Sequence, residues 1–245
     1  MQFSWFDLYW SWVGLAISTV LLILLFGTKI FRSDDSISRW RDPVWLAWLA
    51  PAAYMFHQFE EYGIDVLGNH FPFPDLLCAS FSMPPYPDCS IPVGTYLGIN
   101  ISVIWGMGLV CGLLSWRFPL VGLGVFAIHG TNSIAHLGTF AITGIYNPGS
   151  MTSAIIQLPM FLWMAYALAG HPAIRKSGVA LLFGVGVLFT MILMGSLKLF
   201  AEGAIGDNLV VLIQVLNPVL LVAILFLVAK GRTGSSSVSS RPELA

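Results

Sequence analysis

Seven stretches of this chain are long and apolar enough to cross a lipid bilayer, and that leaves few folds open. They run at about 8–27, 44–62, 93–114, 118–140, 150–169, 178–200 and 208–229, each near the ~20 residues needed to span ~30 Å of hydrocarbon as a helix. Inside lipid every backbone polar group must be satisfied within the protein, so only helices and closed barrels remain. The stretches lack the period-two alternation of a barrel strand. Composition agrees: 57% of residues are hydrophobic and 9% charged, whereas a soluble domain carries roughly 25% charged residues. The expected fold is an all-α integral membrane protein, a multi-pass bundle of seven transmembrane helices over residues 1–230. A Ser-rich cytoplasmic tail at 231–245 is expected to be disordered.

Lys and Arg orient the bundle, because cytoplasmic loops collect them. With seven spans, Lys29, Arg32, Arg39, Arg41, Arg117, Arg175, Lys176, Lys230, Arg232 and Arg241 all fall on one side, ten of the eleven basic residues. Six or eight spans would scatter them. The N-terminus is therefore expected outside and the C-terminus in the cytoplasm. The first stretch is preceded by Asp7 and by no Lys or Arg, so it reads as a span rather than a cleavable leader. A net charge of −1 offers no basic surface to nucleic acid.

The long outer loop, about 62–92, carries Phe71-Pro72-Phe73-Pro74 and Pro84-Pro85-Tyr86-Pro87, which suggests a segment lying on the interface. Cys78 and Cys89 share this loop on the side where disulfides persist. They are either bridged or two unrelated thiols. Cys111 reads as helix packing. Gly94, Gly98, Gly108 and Gly112 give the third stretch close-approach faces.

Ionisable groups are costly in a bilayer, at ~2.5–3.5 kcal/mol for a central Asp or Lys, and here they gather. The second stretch ends His57-Gln58-Phe59-Glu60-Glu61. At roughly 100° per residue, Glu60 lies about 60° to one side of His57 and Glu61 about 40° to the other, so all three share a face. The fourth stretch carries His129, Asn132 and His136 in one stripe. Asn100, Gln157, Gln214 and Asn217 fall at a matching depth from three more helices. Together they predict a polar chamber in the outer half of the membrane.

His57-Gln58-Phe59-Glu60-Glu61 matches an HXXEE motif, and Asn132-Ser133-Ile134-Ala135-His136 an NXXXH motif. Both motifs in this order on membrane helices resemble the HXXEE family of membrane proteins. That family is defined by these motifs and a further histidine, here His129 or His70, with His129 preferred because it shares the stripe. The resemblance implies a site made of His57, Glu60, Glu61, Asn132 and His136, with no reaction attached.

Three chemistries fit this set. In the first, His57, Glu61 and His136 hold zinc or iron, which suit imidazole and carboxylate. His129 then stands behind them or serves a second metal, because seven residues separate it from His136 by about 10.5 Å. In the second, an adjacent carboxylate pair runs metal-free acid–base chemistry, as in small membrane isomerases and terpenoid cyclases, with Glu60 as the protonated member. In the third, the groups form a proton or cation path or merely bond helices together. Under the first two, the chain is an enzyme acting on a small lipophilic molecule drawn from membrane lipid. Lys198 is expected to reach the outer interface, near Glu61.

Overall fold

The computed structural model describes residues 4–86 and 88–238. Among them all regular structure is helical, apart from one isolated bridge between Ile64 and His70. Seven helices are long: α1 (Trp5–Gly27), α2 (Pro43–Tyr62), α4 (Val93–Leu114), α5 (Pro119–Thr143), α6 (Ser150–Leu168), α7 (Arg175–Ala201) and α8 (Asp207–Val238). A short α3 (Pro72–Ser80) lies in the loop between α2 and α4. The last helix continues past the boundary expected at 230, and the Ser-rich segment beyond Val238 lies outside the described residues.

Six of these helices are long and apolar enough to cross a membrane: α1, α4, α5, α6, α7 and α8. The surface is apolar in keeping with that, with Ile142, Tyr166, Leu227 and Met191 all well exposed. Such a surface belongs in lipid rather than water, and the chain has the build of a multi-pass membrane protein. The helix left out is α2, where His57, Gln58, Glu60 and Glu61 lower the mean hydropathy. Yet α2 is the most enclosed helix, with 18 of its 20 residues buried. A helix wrapped by protein can carry polar groups that lipid would reject.

Local sequence starts each helix where it stands. Ser4 and Asp7 form a capping box on α1. Asp42 caps α2, accepting from the backbone N–H of Val44 and Trp45, while Pro43 occupies the first helical position. The same carboxylate pairs with Arg32 at 3.1 Å and is fully buried. Packing onto α2 relies on small residues. A Cβ at Gly108 would meet the Pro51 ring and one at Gly112 the Trp48 indole, while Gly94 and Gly98 seat Val211 and Val215 of α8. The glycine stripe thus packs against two different helices.

Two helices depart from α geometry beside the polar residues. In α4 a π-helical stretch, Ile101–Met107, follows Asn100. In α6 another, Ser153–Gln157, follows Thr152. Wide turns of this kind recur at functional sites because they re-aim side chains within a helix. The α3 segment is tied down by a disulfide between Cys78 and Cys89, with Cα atoms 6.0 Å apart. Cys111 is a buried free thiol.

Candidate metal centre

The centre is built from α2, α5 and the α5–α6 loop. His57 and Glu61 sit one turn apart on α2, and His136 approaches from α5. His57 Nε2 lies 3.4 Å from Glu61 Oε1, and His136 Nε2 lies 3.2 Å from the same oxygen. One ligand atom from each residue can be chosen so that all lie within 4.8 Å of one another, and all three residues are buried.

Hydrogen bonds set the tautomers. Asn147 donates from Nδ2 to the His136 carbonyl at 3.1 Å, which leaves its Oδ1 to accept from His136 Nδ1–H at 2.8 Å. Thr152 donates its hydroxyl to Glu60 Oε2, so its oxygen accepts from His57 Nδ1–H at 2.8 Å. Both imidazoles therefore carry a proton on Nδ1, and both Nε2 atoms lie beside Glu61, that of His57 between Glu61 Oε1 at 3.4 Å and Asn132 Nδ2 at 2.7 Å. A carboxylate oxygen and two unprotonated ring nitrogens this close repel unless a proton or a metal ion lies between them. Histidines that ligate metals almost always have their other ring nitrogen tied down in this way.

Glu60 and Glu61 do not share a role. Glu60 turns toward the start of α6, where Tyr146 Oη donates at 2.7 Å, Met151 N at 3.1 Å and Thr152 N at 2.8 Å, together with the Thr152 hydroxyl. A carboxylate at a helix N-terminus is favoured by the unpaired amides and the helix dipole. Glu60 thus positions His57 through Thr152 and anchors α6, whereas Glu61 faces the imidazoles. The phenol of Tyr146, in the loop, is held far above the usual range, first by burial and then by its bond to Glu60.

Asn132 lies beside the pair, its Nδ2 2.7 Å from His57 Nε2 and 3.4 Å from Gln157 Oε1. His129 is not brought into the group. Two turns below His136, its Nε2 meets the Ala50 carbonyl at 2.9 Å, and its ring packs on Tyr54 and Phe126. His70 is exposed in the loop between α2 and α4. Lys198 is exposed and pairs with Glu202 at 3.8 Å, away from Glu61. Of the deeper amides, Gln214 donates to Ser196 and Asn217 to the Phe189 carbonyl, bonds that join α7 to α8. Asn100 accepts from Gln58 and edges the chamber described next.

Glu61, His136 and Asn132 form one wall of a chamber of about 280 Å³, bounded otherwise by α3, α4 and α7. Its remaining wall is largely aliphatic and aromatic, with Ile99, Val103, Phe189 and Leu193 among the lining residues. Phe73 of α3 covers the polar end, its ring 6.0 Å from that of His136.

Sequence reasoning misses four contributors: Tyr146, Asn147, Gly149 and Thr152. The signal available is the turn Asn147-Pro148-Gly149-Ser150, a polar loop at the same outer level as the motif ends. Gly149 takes φ 91°, and a Cβ there would lie 2.5 Å from His57 Cε1 and 2.8 Å from His136 Cε1. The loop therefore presses directly on both imidazoles.

Neither a curated protein nor a solved structure matches the chain. A family model does: residues 48–164 match the family described as "Protein of unknown function with HXXEE motif". The matched stretch includes α4, α5, the α5–α6 loop and most of α6, together with the part of α2 that bears the motif, and so every residue named above as touching the centre. The HXXEE-motif family is thus the family that residues 48–164 of this chain match.

Proposed function

We propose that this protein is a membrane-embedded metalloenzyme in which His57, Glu61 and His136 hold one divalent zinc or iron ion beside a chamber for a small lipophilic substrate. The observation that carries the reading is the convergence of two Nε2 atoms on one carboxylate oxygen. Ligands about 2.0–2.1 Å from a tetrahedral metal stand about 3.3–3.4 Å apart. The separations from Glu61 Oε1 are 3.4 and 3.2 Å. A protonated imidazole bonded to the carboxylate would sit closer, at about 2.7–2.9 Å. The His136 separation fits a hydrogen bond or a shared metal, whereas that of His57, at 3.4 Å, exceeds the ~2.7–3.2 Å of an N–H···O bond and favours the metal.

Two histidines and one carboxylate form the ligand set of zinc hydrolases and of non-haem iron(II) oxygenases, with positions left open for substrate or water. Asn132 is suited to fill or flank one of them. A half-turn of its amide puts Oδ1 where Nδ2 stands, next to His57 Nε2. A matching half-turn of Gln157 lets its Nε2 donate to that oxygen. A bound metal supplies Lewis acidity or an activated water. The chain supplies the orientation of the imidazoles through Thr152 and Asn147 and a dry chamber for the substrate.

We further propose that all seven long helices span the membrane, with the N-terminus outside, the C-terminus in the cytoplasm and the metal in the outer half. The one-sided distribution of Lys and Arg supports this orientation, and the burial of α2 accounts for a polar span. Protein purified in mild detergent without metal-chelating resin is expected to contain close to one zinc or iron per chain by elemental analysis. Glu61→Gln and His136→Ala are expected to lose it. Metal-free wild-type protein that takes up neither ion on titration would sink the reading. A C-terminal tag reached only from the non-cytoplasmic side would overturn the orientation.

A further inference from the structure

The chamber is open on one side only partly covered by protein, and the position of that opening bears on what enters. Contacts between α5 and α7 climb the two helices in step. At Gly186 the backbone lies so close to the Ala127 carbonyl that a Cβ would collide with it. One turn higher, the Thr190 hydroxyl donates to Thr131 Oγ1 at 3.4 Å. Another turn higher the contact is replaced by the chamber, and its lining residues Ala135 and Thr139 on α5 and Met194 on α7 are exposed. Around this gap the surface is mostly apolar, with Ile134, Phe140 and Ile142 on α5 and Met191 and Leu199 on α7; Lys198, one turn above Met194, is exposed and paired with Glu202. A mouth set in such a surface faces lipid tails, not water.

The lining also selects by charge. Among the described residues the chamber wall includes no Lys or Arg, and its charged-type groups are Glu61 and His136. A phosphate or diphosphate carried into it would meet no Lys or Arg; with Glu61 ionised, a divalent ion at the centre leaves about one net positive charge against the roughly −2 of a phosphate monoester, so part of the charge stays unpaired, and an unpaired buried charge is strongly disfavoured. Polar partners do exist for a neutral oxygen: Asn100, Asn132, Asn147 and Thr95 all line the wall. Size limits the rest. About 280 Å³ falls at the lower edge of the ~300–1,000 Å³ typical of drug-sized ligands, which suits one apolar chain and excludes two.

We propose that the ligand is an uncharged, single-chain lipophile bearing one oxygen function, such as an alcohol, ester or epoxide. It enters sideways from the bilayer between α5 and α7, with its oxygen toward Glu61 and His136 and its chain along Val103, Phe189 and Leu193. This rests on the reading of the chamber as the substrate site of the metal centre, but its test is separable from the metal.

The protein is placed in phosphatidylcholine nanodiscs with a diazirine-bearing dodecanol, irradiated, and its adducts are mapped by peptide mass spectrometry. The same experiment is run with the phosphate monoester of that alcohol. Adducts from the alcohol are expected on the peptides holding Phe73, Ala135 and Leu193, and the phosphate is expected to label them far less. Ala135→Trp and Met194→Trp plug the mouth from an exposed position, and each is expected to cut chamber labelling about tenfold, a loss of about 1.4 kcal/mol in occupancy, while metal content is unchanged. Equal labelling by the phosphate, or labelling untouched by both plugs, overturns the inference. Chamber labelling that persists in wild-type protein unable to bind metal overturns the metal reading and leaves this one standing. Normal metal content with an unlabelled chamber does the reverse.

Discussion

Gly149→Ala tests whether the α5–α6 loop shapes the centre. Two costs act at this position, and a second glycine separates them. At φ 91° an L side chain is strained, by roughly 1–2 kcal/mol. The new Cβ would also stand 2.5 Å from His57 Cε1 and 2.8 Å from His136 Cε1. Carbon atoms rest about 3.5–4.0 Å apart, so each ring must retreat by about 1 Å, and crowding of this kind costs about 1–3 kcal/mol. Gly144, at φ 67° with nothing within 4 Å of its added Cβ, carries the strain without the collision. Gly144→Ala should therefore lower stability by about 1–2 kcal/mol and leave the centre intact. Gly149→Ala should lose about 1–3 kcal/mol more. It should also lose its metal, because ligand positions must hold to within about 0.2 Å. Thermal unfolding in one detergent and elemental analysis of the two variants side by side make the comparison. If Gly149→Ala melts with Gly144→Ala and keeps full metal, the loop does not press on the imidazoles.

Glu61→Gln and Glu60→Gln should differ in kind. The first removes the anionic ligand and should abolish binding, whereas the second disturbs only Thr152 and the α6 amides and should weaken metal affinity by about 10–100-fold; equal, small losses in a metal titration would point to a purely structural role for both. Replacing Cys78 and Cys89 by Ser opens a bridge spanning 11 residues, which should cost about 2–3 kcal/mol and loosen α3 over the chamber without changing metal stoichiometry; an unchanged melting temperature would argue against that anchoring role. Tyr146 has a phenol raised above its ordinary value by burial and by Glu60. Its stabilising bond is present in full below the unfolded pKa of about 10 and is lost only as pH rises through the raised folded value. An ultraviolet difference titration between wild type and Tyr146→Phe should then show no phenolate signal from this residue near pH ~10, and a signal there would contradict the contact.

Much of the site is legible in the order of the amino acids because helical periodicity is a short-range rule. His57, Glu60 and Glu61 follow one another within five residues, so their common face depends only on ~100° per residue. Asn132 and His136 obey the same rule. Periodicity does not say how far a side chain reaches or what meets it. It places His129 on the stripe with His136, yet the Ala50 carbonyl, on a helix far away in sequence, takes its Nε2. It makes Glu60 and Glu61 neighbours in one chamber, yet the start of α6 takes Glu60 for itself. Depth alone puts Lys198 near Glu61, and Glu202, one turn further along the chain, pairs with it instead.

Amino-acid order alone is enough to make this chain a bundle of apolar helices with a polar cluster on two of them, because lipid tolerates little else and helix geometry is local. It also singles out the pair of cysteines that the fold joins. Which atoms of the cluster face one another depends on the fold in three dimensions. The Nδ1 partners of the two histidines come from outside their own helices: Thr152, 95 residues from His57, and Asn147, 11 residues from His136. Those two bonds choose the tautomers and hold both Nε2 atoms beside Glu61. A tautomer depends on which donor or acceptor meets a ring nitrogen in space, and no spacing along the chain encodes it.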